Sequence, residues 1–412
     1  MMADISTLNV FLHGQAIGTL TYLGGERTLF AFNEEYIADP ERSTLGLRFK
    51  DRFGELITEF RPYRIKLMPF FSNLLPEGHL RKYLAENAGI HTDREFFLLW
   101  ALGRDLPGAI TVRPAEGEAQ PPAEQLDALD EQTRSSAKAE ALHFSLAGVQ
   151  LKFSAVTEAS GGLTIPASGV GGNWIVKLPS QQYHGVPENE FSMMTLARMI
   201  GITVPTIDLI NIKSIGNMPG GIDALGEKAF IIERFDRSSD APIHIEDFAQ
   251  VFDVYAEDKY KRASARNIAS VIAAEAGDSD IAEFIRRLTF NTLIGNGDMH
   301  LKNWSLIYPD RHHARLSPAY DFVSTIPYIA DDKAALNFSR SRAFTDYTKD
   351  ELFHLSAKAA LPRKLVLDTA LETVDLFMER WQAEKKHFPM GTDVLRAIDA
   401  HLKTLSIVQG GE

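Results

Sequence analysis

Residues 294–303 read Ile294-Gly295-Asn296-Gly297-Asp298-Met299-His300-Leu301-Lys302-Asn303. An Asp followed five residues later by an Asn has the spacing of a kinase catalytic loop, in which the Asp accepts the proton of the acceptor hydroxyl and the Asn holds a magnesium ion. The same residue types also cap turns and close ordinary loops. Asp298 and Asn303 are therefore a candidate base and a candidate metal ligand. Other segments of the sequence are needed to choose between a catalytic loop and an ordinary turn.

A second acidic motif, Tyr320-Asp321-Phe322-Val323, begins shortly after Asn303. Its Asp-Phe pair stands where the magnesium-binding Asp-Phe-Gly of protein kinases would, with Val323 in place of Gly. Carboxylate and amide oxygens on neighbouring loops suit Mg²⁺, which prefers oxygen ligands. Asp321 could instead be an ordinary turn residue after Pro318, but order and spacing favour a metal role.

Upstream, a strand-like segment ends in Ile175-Val176-Lys177 and resembles the strand that carries the phosphate-anchoring lysine of kinases. A lysine at a strand end is often only a surface residue with a buried stem. A helix is predicted from Pro187 to Gly201, with Pro at its start and Gly at its end. Glu190 in its first turns is a candidate ion-pair partner for Lys177, ahead of Glu188.

Two further segments have the order expected of a nucleotide site. The strand at 229–233 leads into Arg234-Phe235-Asp236, where a kinase hinge presents backbone groups to adenine, although an Arg–Asp surface pair worth at most ~1 kcal/mol explains the same residues. The loop Ser145–Lys152 precedes the lysine strand, as a phosphate-covering loop should. It has one glycine, Gly148, and matches neither common Gly-rich pattern.

Composition limits the classes of function. The chain has 412 residues, a net charge of −12 and no cysteine, which excludes thiolate catalysis, Cys-ligated zinc and disulfides. This acidity disfavours general binding to nucleic-acid phosphates. No cationic stretch with an apolar core opens the sequence, and the densest apolar run, Phe96–Leu102, is too short to cross a bilayer. We therefore expect a cytoplasmic protein that does not enter a membrane.

Apolar periodicity divides the chain into regions. Short apolar runs separated by turn signals at 5–60 predict an antiparallel β unit, and helical spacing follows at 67–102. Polar residues from Pro114 to about Lys138 predict a linker with a solvated helix near Leu126–Leu129. Beyond the two strands at 174–178 and 229–233, the pattern is mostly helical.

Taken in order, these segments resemble the HipA-like serine/threonine kinases, the toxin halves of bacterial toxin–antitoxin pairs. The resemblance covers nearly the whole chain and rests on Phe70–Gly78, Leu102–Ala109, Ser145–Lys152, Trp174–Pro179, Asn189-Glu190, Glu233–Arg237, Glu246–Phe248, Asn296–Asn303 and Tyr320-Asp321. It implies the α+β class, with a small N-terminal β-rich domain packed on a bilobal protein-kinase-like core that has a mostly helical C-lobe. The expected divisions are 1–114 for the N-terminal domain, 115–138 for the linker, 139–236 for the N-lobe-like region and 237–412 for the C-lobe.

The resemblance also implies roles for individual residues. Lys177, held by Glu190, would bind the phosphates of ATP, with Glu233 and Phe235 lining the adenine site. Asp298 would be the base, and Asn303 and Asp321 would hold Mg²⁺. Further nucleotide-binding positions would be His300 and Lys302 in the catalytic loop and Leu146, Ala147, Gly148, Val149, Gln150 and Lys152 in the upstream loop.

Ser145 matches the autophosphorylated serine of the family. Gly297 replaces the Arg that commonly precedes the catalytic Asp, so control through a phosphate paired with that Arg is not expected. A phosphate on Ser145 adds charge that would eject the nucleotide loop and is the candidate switch.

The resemblance further implies two partners: a HipB-like helix-turn-helix antitoxin and a protein substrate, namely an aminoacyl-tRNA synthetase. DNA would be reached only indirectly, through the antitoxin.

Two alternatives remain open on the sequence: a small-molecule phosphotransferase of the aminoglycoside or choline kinase type, whose catalytic loop has the same spacing, and a kinase-shaped scaffold that only binds the antitoxin. The Ser145 loop and the N-terminal β unit argue against the first alternative, and the presence of Lys177, Asp298, Asn303 and Asp321 together argues against the second.

Overall fold

Short apolar segments of the N-terminal region form a five-stranded antiparallel sheet. The computed structural model describes residues 6–115, 152–157, 163–164, 172–180, 182–217, 226–239 and 241–410. The strands are β1 (Ser6–Leu12), β2 (Gln15–Tyr22), β3 (Arg27–Phe32), β4 (Tyr63–Arg64) and β5 (Ile110–Pro114), in the order β4-β3-β2-β1-β5. His13 and Gly14 both have positive φ, as a two-residue hairpin turn requires. The predicted antiparallel β unit is confirmed.

Four helices pack on this sheet and close an aromatic core. They are α1 (Glu34–Ala38), α2 (Pro69–Ser72), α3 (Gly78–Ala88) and α4 (Glu95–Leu102). Phe30 contacts the rings of both Phe49 and Phe71, with centroids 5.7 and 4.9 Å apart. The buried carboxylate of Glu95 at the start of α4 accepts hydrogen bonds from Leu67 N and Ser72 Oγ, which fixes the entry to α2.

A second sheet follows, with one long helix against it. Its strands within the described ranges are β6 (Lys152–Thr157), β7 (Leu163–Thr164), β8 (Trp174–Lys177), β9 (Ile207–Asn211), β10 (Ile215–Gly216) and β11 (Lys228–Glu233), in the order β10-β7-β6-β8-β11-β9. The helix is α5 (Val186–Met199), within two residues of its predicted bounds. Strand β8 pairs antiparallel with both β6 and β11, so it lies inside the sheet.

The remainder of the chain is mostly helical. Its helices are α6 (Phe248–Val251), α7 (Ala265–Glu275), α8 (Asp278–Leu293), α9 (Lys349–Lys358), α10 (Arg363–Glu384) and α11 (Thr392–Leu402). A three-stranded antiparallel sheet, β12 (His244–Asp247), β13 (Ser305–Tyr308) and β14 (Arg315–Leu316), lies among them. Phe290 on α8 contacts Phe377 on α10 inside a shared apolar core, which fixes the C-terminal end of α8.

The architecture confirms the expected α+β class: an N-terminal β-rich unit joined to a sheet-containing lobe and a helical lobe. The predicted linker lies, except for Ala115, outside the described residues, as do Ser145 and Leu146–Gln150 of the upstream loop. Across the ranges that the structure describes, no helix is both long enough and apolar enough to span a bilayer.

Candidate active site

A buried ion-pair group joins the two lobes. Lys177 at the end of β8 is 3% exposed, and Glu190 on α5 is fully buried. The Lys177 ammonium donates hydrogen bonds to Glu190 Oε1 and to Asp321 Oδ1. Burial alone would lower the pKa of Lys177, but the charges of Asp321 and Glu190 outweigh it and raise the pKa above its ordinary value. The lysine is therefore charged and held in place.

Asp321 has a backbone conformation that non-glycine residues rarely adopt. Its φ is +58°, in the left-handed region, which costs roughly 1–2 kcal/mol for a residue with a Cβ. Its Oδ2 lies 3.3 Å from the ammonium of Lys152, the first residue of β6. Burial would raise the pKa of Asp321, but Lys152 and Lys177 hold it well below its usual range. The carboxylate is ionised, and strain of this kind is typical of functional positions.

The loop after α8 is tied to the Asp321 loop by an asparagine. Asn296 Nδ2 donates to Asn291 Oδ1 at 2.7 Å and to the carbonyl oxygen of Asp321 at 3.3 Å. Asn296 Oδ1 in turn accepts from the backbone N–H of Asp298 at 3.0 Å. One amide therefore sets the position of two of the predicted site residues.

Asp298 and Asn303 contact each other across the turn that separates them. Asn303 Nδ2 donates to the carbonyl oxygen of Asp298 at 2.8 Å. The side chain of Asp298 is 55% exposed, and its Oδ1 accepts a hydrogen bond from the hydroxyl of Tyr260. Partial removal from water raises the pKa of Asp298, and the hydrogen bond from Tyr260 opposes that rise. A solvent-facing carboxylate in this setting is suited to accept a proton.

His300 lies beside Asp298 as a neutral ring. Its Nε2 is 4.0 Å from Asp298 Oδ1, and burial with the nearby Lys259 charge lowers its pKa to about 3. The buried Nδ1 has no hydrogen-bond partner among the residues that the structure describes. An uncharged imidazole is not a cation for phosphate, so any contact of His300 with nucleotide would use neutral hydrogen bonding.

The ammonium of Lys302 contacts the N-terminal unit. Its ammonium donates to the carbonyl oxygen and Oδ1 of Asn73 at 2.9 and 3.0 Å, and it lies 3.2 Å from Glu77 and 3.4 Å from Asp247. The structure therefore does not bring Lys302 to the other predicted nucleotide residues. It shows instead that the segment Phe70–Gly78 supports the catalytic loop.

The predicted hinge is likewise clamped by the N-terminal unit. Asp236 Oδ2 accepts from Gly108 N at 2.8 Å, and Arg237 donates to the Gly108 carbonyl oxygen and to Asp105 at 2.9 and 2.8 Å. Phe235 is free of this network, and its ring lies 5.7 Å from that of Tyr320. Glu233 ends β11 with an exposed side chain.

Sequence reasoning missed Tyr260 and the clamping role of Asp105 and Gly108. Gly108 lies in a segment that carried the family resemblance, but nothing in its pattern indicated the surface that it contacts. Tyr260 stands in the polar run Lys259-Tyr260-Lys261-Arg262, which is typical of a solvated turn. The single aromatic side chain in this polar run was the only feature of the sequence that could have indicated a role for Tyr260.

The donor set suits a magnesium ion. Asn303 directs its amide nitrogen at Asp298, which leaves Oδ1 facing away, and in the described part of the chain that oxygen accepts no hydrogen bond. Asp321 supplies a carboxylate that stays ionised. Carboxylate and amide oxygens are ligands that Mg²⁺ takes, completed by phosphate and water.

Comparisons with known proteins identify the family of the chain. A family model described as HipA N-terminal domain matches residues 8–113, and one described as HipA-like C-terminal domain matches residues 144–381, more than half of the chain. The chain belongs to the HipA family. It is a HipA-like kinase, and the sheet lobe and helical lobe described above are the two lobes of its kinase fold.

Two relatives and one solved structure show how similar this HipA-family chain is to known proteins. A Sinorhizobium fredii protein named "Putative kinase Y4dM" is 57% identical over 409 residues, 98% of each chain. The "Serine/threonine-protein kinase toxin HipA" of Shewanella oneidensis is 26% identical over 290 residues, 63% of each chain. One chain in a solved complex of Shewanella oneidensis MR-1 HipA, HipB and operator DNA has the same fold as this chain, with a TM-score of 0.72 and 21% identity. The match covers 98% of this chain and 97% of that chain.

Proposed function

We propose that this chain is an ATP- and magnesium-dependent serine/threonine protein kinase that acts as the toxin of a toxin–antitoxin pair. One observation carries the proposal: a buried lysine on a sheet strand is held by a helix glutamate and by an aspartate of the opposite lobe. A structural ion pair would not require Asp321 to adopt a strained backbone or Asn296 to link it to the Asp298 loop.

In the proposed site, Lys177 would bind the phosphates and Asn303 and Asp321 would hold the cation. When bound, Mg–ATP supplies the transferable γ-phosphoryl group and neutralises charge that develops on it. Glu190 keeps the lysine aimed at the lobe interface. Lys152, at 3.3 Å from Asp321, is a second cation at the same carboxylate, and it directly follows the loop predicted to cover the phosphates.

Asp298 would orient the acceptor hydroxyl and accept its proton. Its exposed carboxylate lies at the surface end of the site, where a macromolecular acceptor has access. The raised pKa of Asp298 strengthens it as a base once it is ionised. His300, neutral and buried beside it, adds no positive charge that would lower this basicity.

The substrate class and partner of this chain are proposed from its relatives and from the family resemblance of its sequence. Similarity to a serine/threonine kinase toxin favours a protein hydroxyl over a small alcohol. An aminoacyl-tRNA synthetase, which the family resemblance implies, is the proposed substrate. The relative in the solved complex is bound to HipB and operator DNA, so we propose a HipB-like helix-turn-helix antitoxin for this chain. With a net charge of −12, the kinase itself would approach DNA through that partner.

Ser145 is the proposed site of autophosphorylation, and the loop that it begins lies outside the described residues. The proposal is supported by the position of Lys152, which follows that loop and contacts Asp321. A phosphate on Ser145 would add about −1.5 to −2 charges near phosphate-binding groups, and repulsion would weaken ATP binding.

Phosphoproteomics after brief induction tests this function. Cells that express the wild-type chain should accumulate new phosphoserine or phosphothreonine on a translation protein, and cells that express Asp298→Asn at the same level should not. New phosphorylation that is identical in both strains, or phosphate found only on small alcohols, would contradict the proposal.

A further inference from the structure

The hydroxyl of Tyr260 occupies one of the positions at Asp298 that an acceptor hydroxyl can take. Tyr260 donates to Oδ1 of Asp298, whose side chain is 55% exposed. A general base must be within hydrogen-bond distance of the group from which it takes a proton. A substrate hydroxyl that hydrogen-bonds this oxygen therefore has to displace the phenol of Tyr260.

The segment that carries Tyr260 is anchored on both sides. Lys259 donates to Glu77 at 2.8 Å, and its carbonyl oxygen accepts from Leu301 N at 3.3 Å. Tyr255, near the start of the same segment, donates to the carbonyl oxygen of Leu67 at 3.0 Å. The phenol of Tyr260 is thus positioned by the N-terminal unit and by the catalytic loop, which is unlike a freely rotating surface tyrosine.

The ring of Tyr260 also packs against His300, which lies beside Asp298. It meets the buried ring of His300 edge to face, with centroids 4.9 Å apart and planes at 89°. Its own exposed fraction is 40%, so one face of the ring remains in water. A side chain held by one hydrogen bond, one edge contact and a Lys259 ammonium 5.7 Å from its ring centroid can be displaced by an incoming chain at modest cost.

The phenol remains protonated in this position. Burial and the negative charge of Asp298 raise the pKa of Tyr260 well above its ordinary value. It therefore acts as a hydrogen-bond donor to the carboxylate at all physiological pH values, as a serine or threonine hydroxyl would.

We propose that Tyr260 keeps the acceptor position beside Asp298 closed to water, and that a substrate hydroxyl enters by taking over its hydrogen bond. This inference rests on the proposed kinase function. The reaction that Tyr260 suppresses is hydrolysis: a water oxygen bonds to the γ-phosphorus, the bond to the bridging oxygen of ADP breaks, and the water proton goes to Asp298. Tyr260 is thus a residue that decides between water and a protein hydroxyl as acceptor.

The test compares ATP hydrolysis without added acceptor in the full-length wild type, Tyr260→Phe and Tyr22→Phe. Tyr22→Phe is the matched control, because it removes a phenol that donates to the carboxylate of Glu26 in the N-terminal sheet and contacts neither Asp298 nor the segment that carries Tyr260. We expect Tyr260→Phe to raise phosphate release roughly two- to tenfold, the range that corresponds to one lost hydrogen bond, at unchanged ATP affinity. Tyr22→Phe should stay at the wild-type rate.

Unchanged or slower hydrolysis in Tyr260→Phe would overturn the inference, and so would phosphate on Tyr260 itself in the mass spectrum of the wild type. These results leave the proposed function standing if Asp298→Asn abolishes hydrolysis in the same assay. A wild-type chain that neither binds nor hydrolyses ATP would overturn the proposed function, and this inference with it.

Discussion

The ammonium of Lys177 contacts the carboxylate of Asp321, 144 residues farther along the chain. The contact joins the central strand of the sheet lobe to a loop of the helical lobe. The Lys177 ammonium is shared with Glu190, and Lys152 supplies a second positive charge at Asp321, so the two carboxylates face two ammonium groups. The geometry links the stability of the chain to the site proposed for nucleotide.

Replacing Lys177 with Met should destabilise the chain as well as remove activity. The substitution leaves Glu190 fully buried without a cation, and removing one partner of a buried pair costs about 3–5 kcal/mol. Urea unfolding measures this loss. The double variant Lys177→Met with Glu190→Met should recover most of the stability but no phosphoryl transfer. A single variant as stable as the wild type would disprove the buried pairing.

Glu246 should make stability depend on pH. Burial raises its pKa to about 7, and its Oε2, buried beside Gly46, has no hydrogen-bond partner in the described part of the chain. The folded state then binds a proton that the unfolded state releases at lower pH. The contribution of this group is therefore fully present below about pH 4.5 and is lost as pH rises toward and through 7, with a total of up to about 3 kcal/mol.

Glu246→Gln removes this titration. The free energy of unfolding of the variant, relative to the wild type, should rise between pH 5 and pH 7 and level off near pH 8 in urea titrations. Glu59→Gln, an exposed change of the same charge, is the control for net charge. A Glu246→Gln difference that does not vary with pH would show that the buried carboxyl does not titrate in this range.

Gly108 should not tolerate a side chain. Its φ is +75°, and a Cβ there would lie 2.8 Å from Ile245 N and 3.0 Å from His244 Nδ1, at the contact between the N-terminal unit and β12. Strain and overpacking together predict a loss of roughly 2–4 kcal/mol for Gly108→Ala in thermal unfolding. Gly24→Ala has a similar φ of +77° and open space, so it reports strain alone. Equal losses in the two variants would mean that the contact contributes nothing.

Gly297 leaves room for Asp332 beside the candidate base. A Cβ at this position would lie 2.2 Å from Asp332 Oδ2, the oxygen that accepts from Thr325. We expect Gly297→Ala to move the Asp298 loop and slow phosphoryl transfer by roughly ten- to a hundredfold. Adding Asp332→Ala should restore part of the rate by making space. A single variant with the wild-type rate would show that the loop absorbs the methyl group freely.

Local sequence patterns predicted the elements of the fold well. The lysine strand and the helix that carries Glu190 lie within two residues of their predicted bounds, and the antiparallel β unit predicted at 5–60 is present. These features depend on turn chemistry and apolar periodicity, which involve neighbouring residues. Asp298, Asn303 and Asp321 became candidates because their order and spacing match a known catalytic arrangement.

Contacts between distant segments could not be predicted in the same way. Lys302 was expected at nucleotide, but it binds Asn73 and Glu77 of the N-terminal unit, more than 220 residues away. The hydrogen bond from Tyr260 to Asp298 likewise depends on how a solvated turn folds back over the catalytic loop. Such pairs depend on how distant segments pack together, and the apolar periodicity of the sequence does not show which segments meet.

The proposed mechanism requires that Asp298 accepts the proton of the acceptor hydroxyl at a site where Lys177 and Asp321 hold Mg–ATP. The direct measurement pairs ATP titration calorimetry with transfer of radioactive γ-phosphate in the wild type, Asp298→Asn and Asp321→Asn, with the exposed loop change Asp331→Asn as control. We predict that Asp298→Asn binds ATP like the wild type but loses transfer by roughly 10²–10⁴-fold, and that Asp321→Asn loses magnesium-dependent binding. Wild-type transfer by Asp298→Asn, or magnesium-dependent binding that is unchanged in Asp321→Asn, would contradict it.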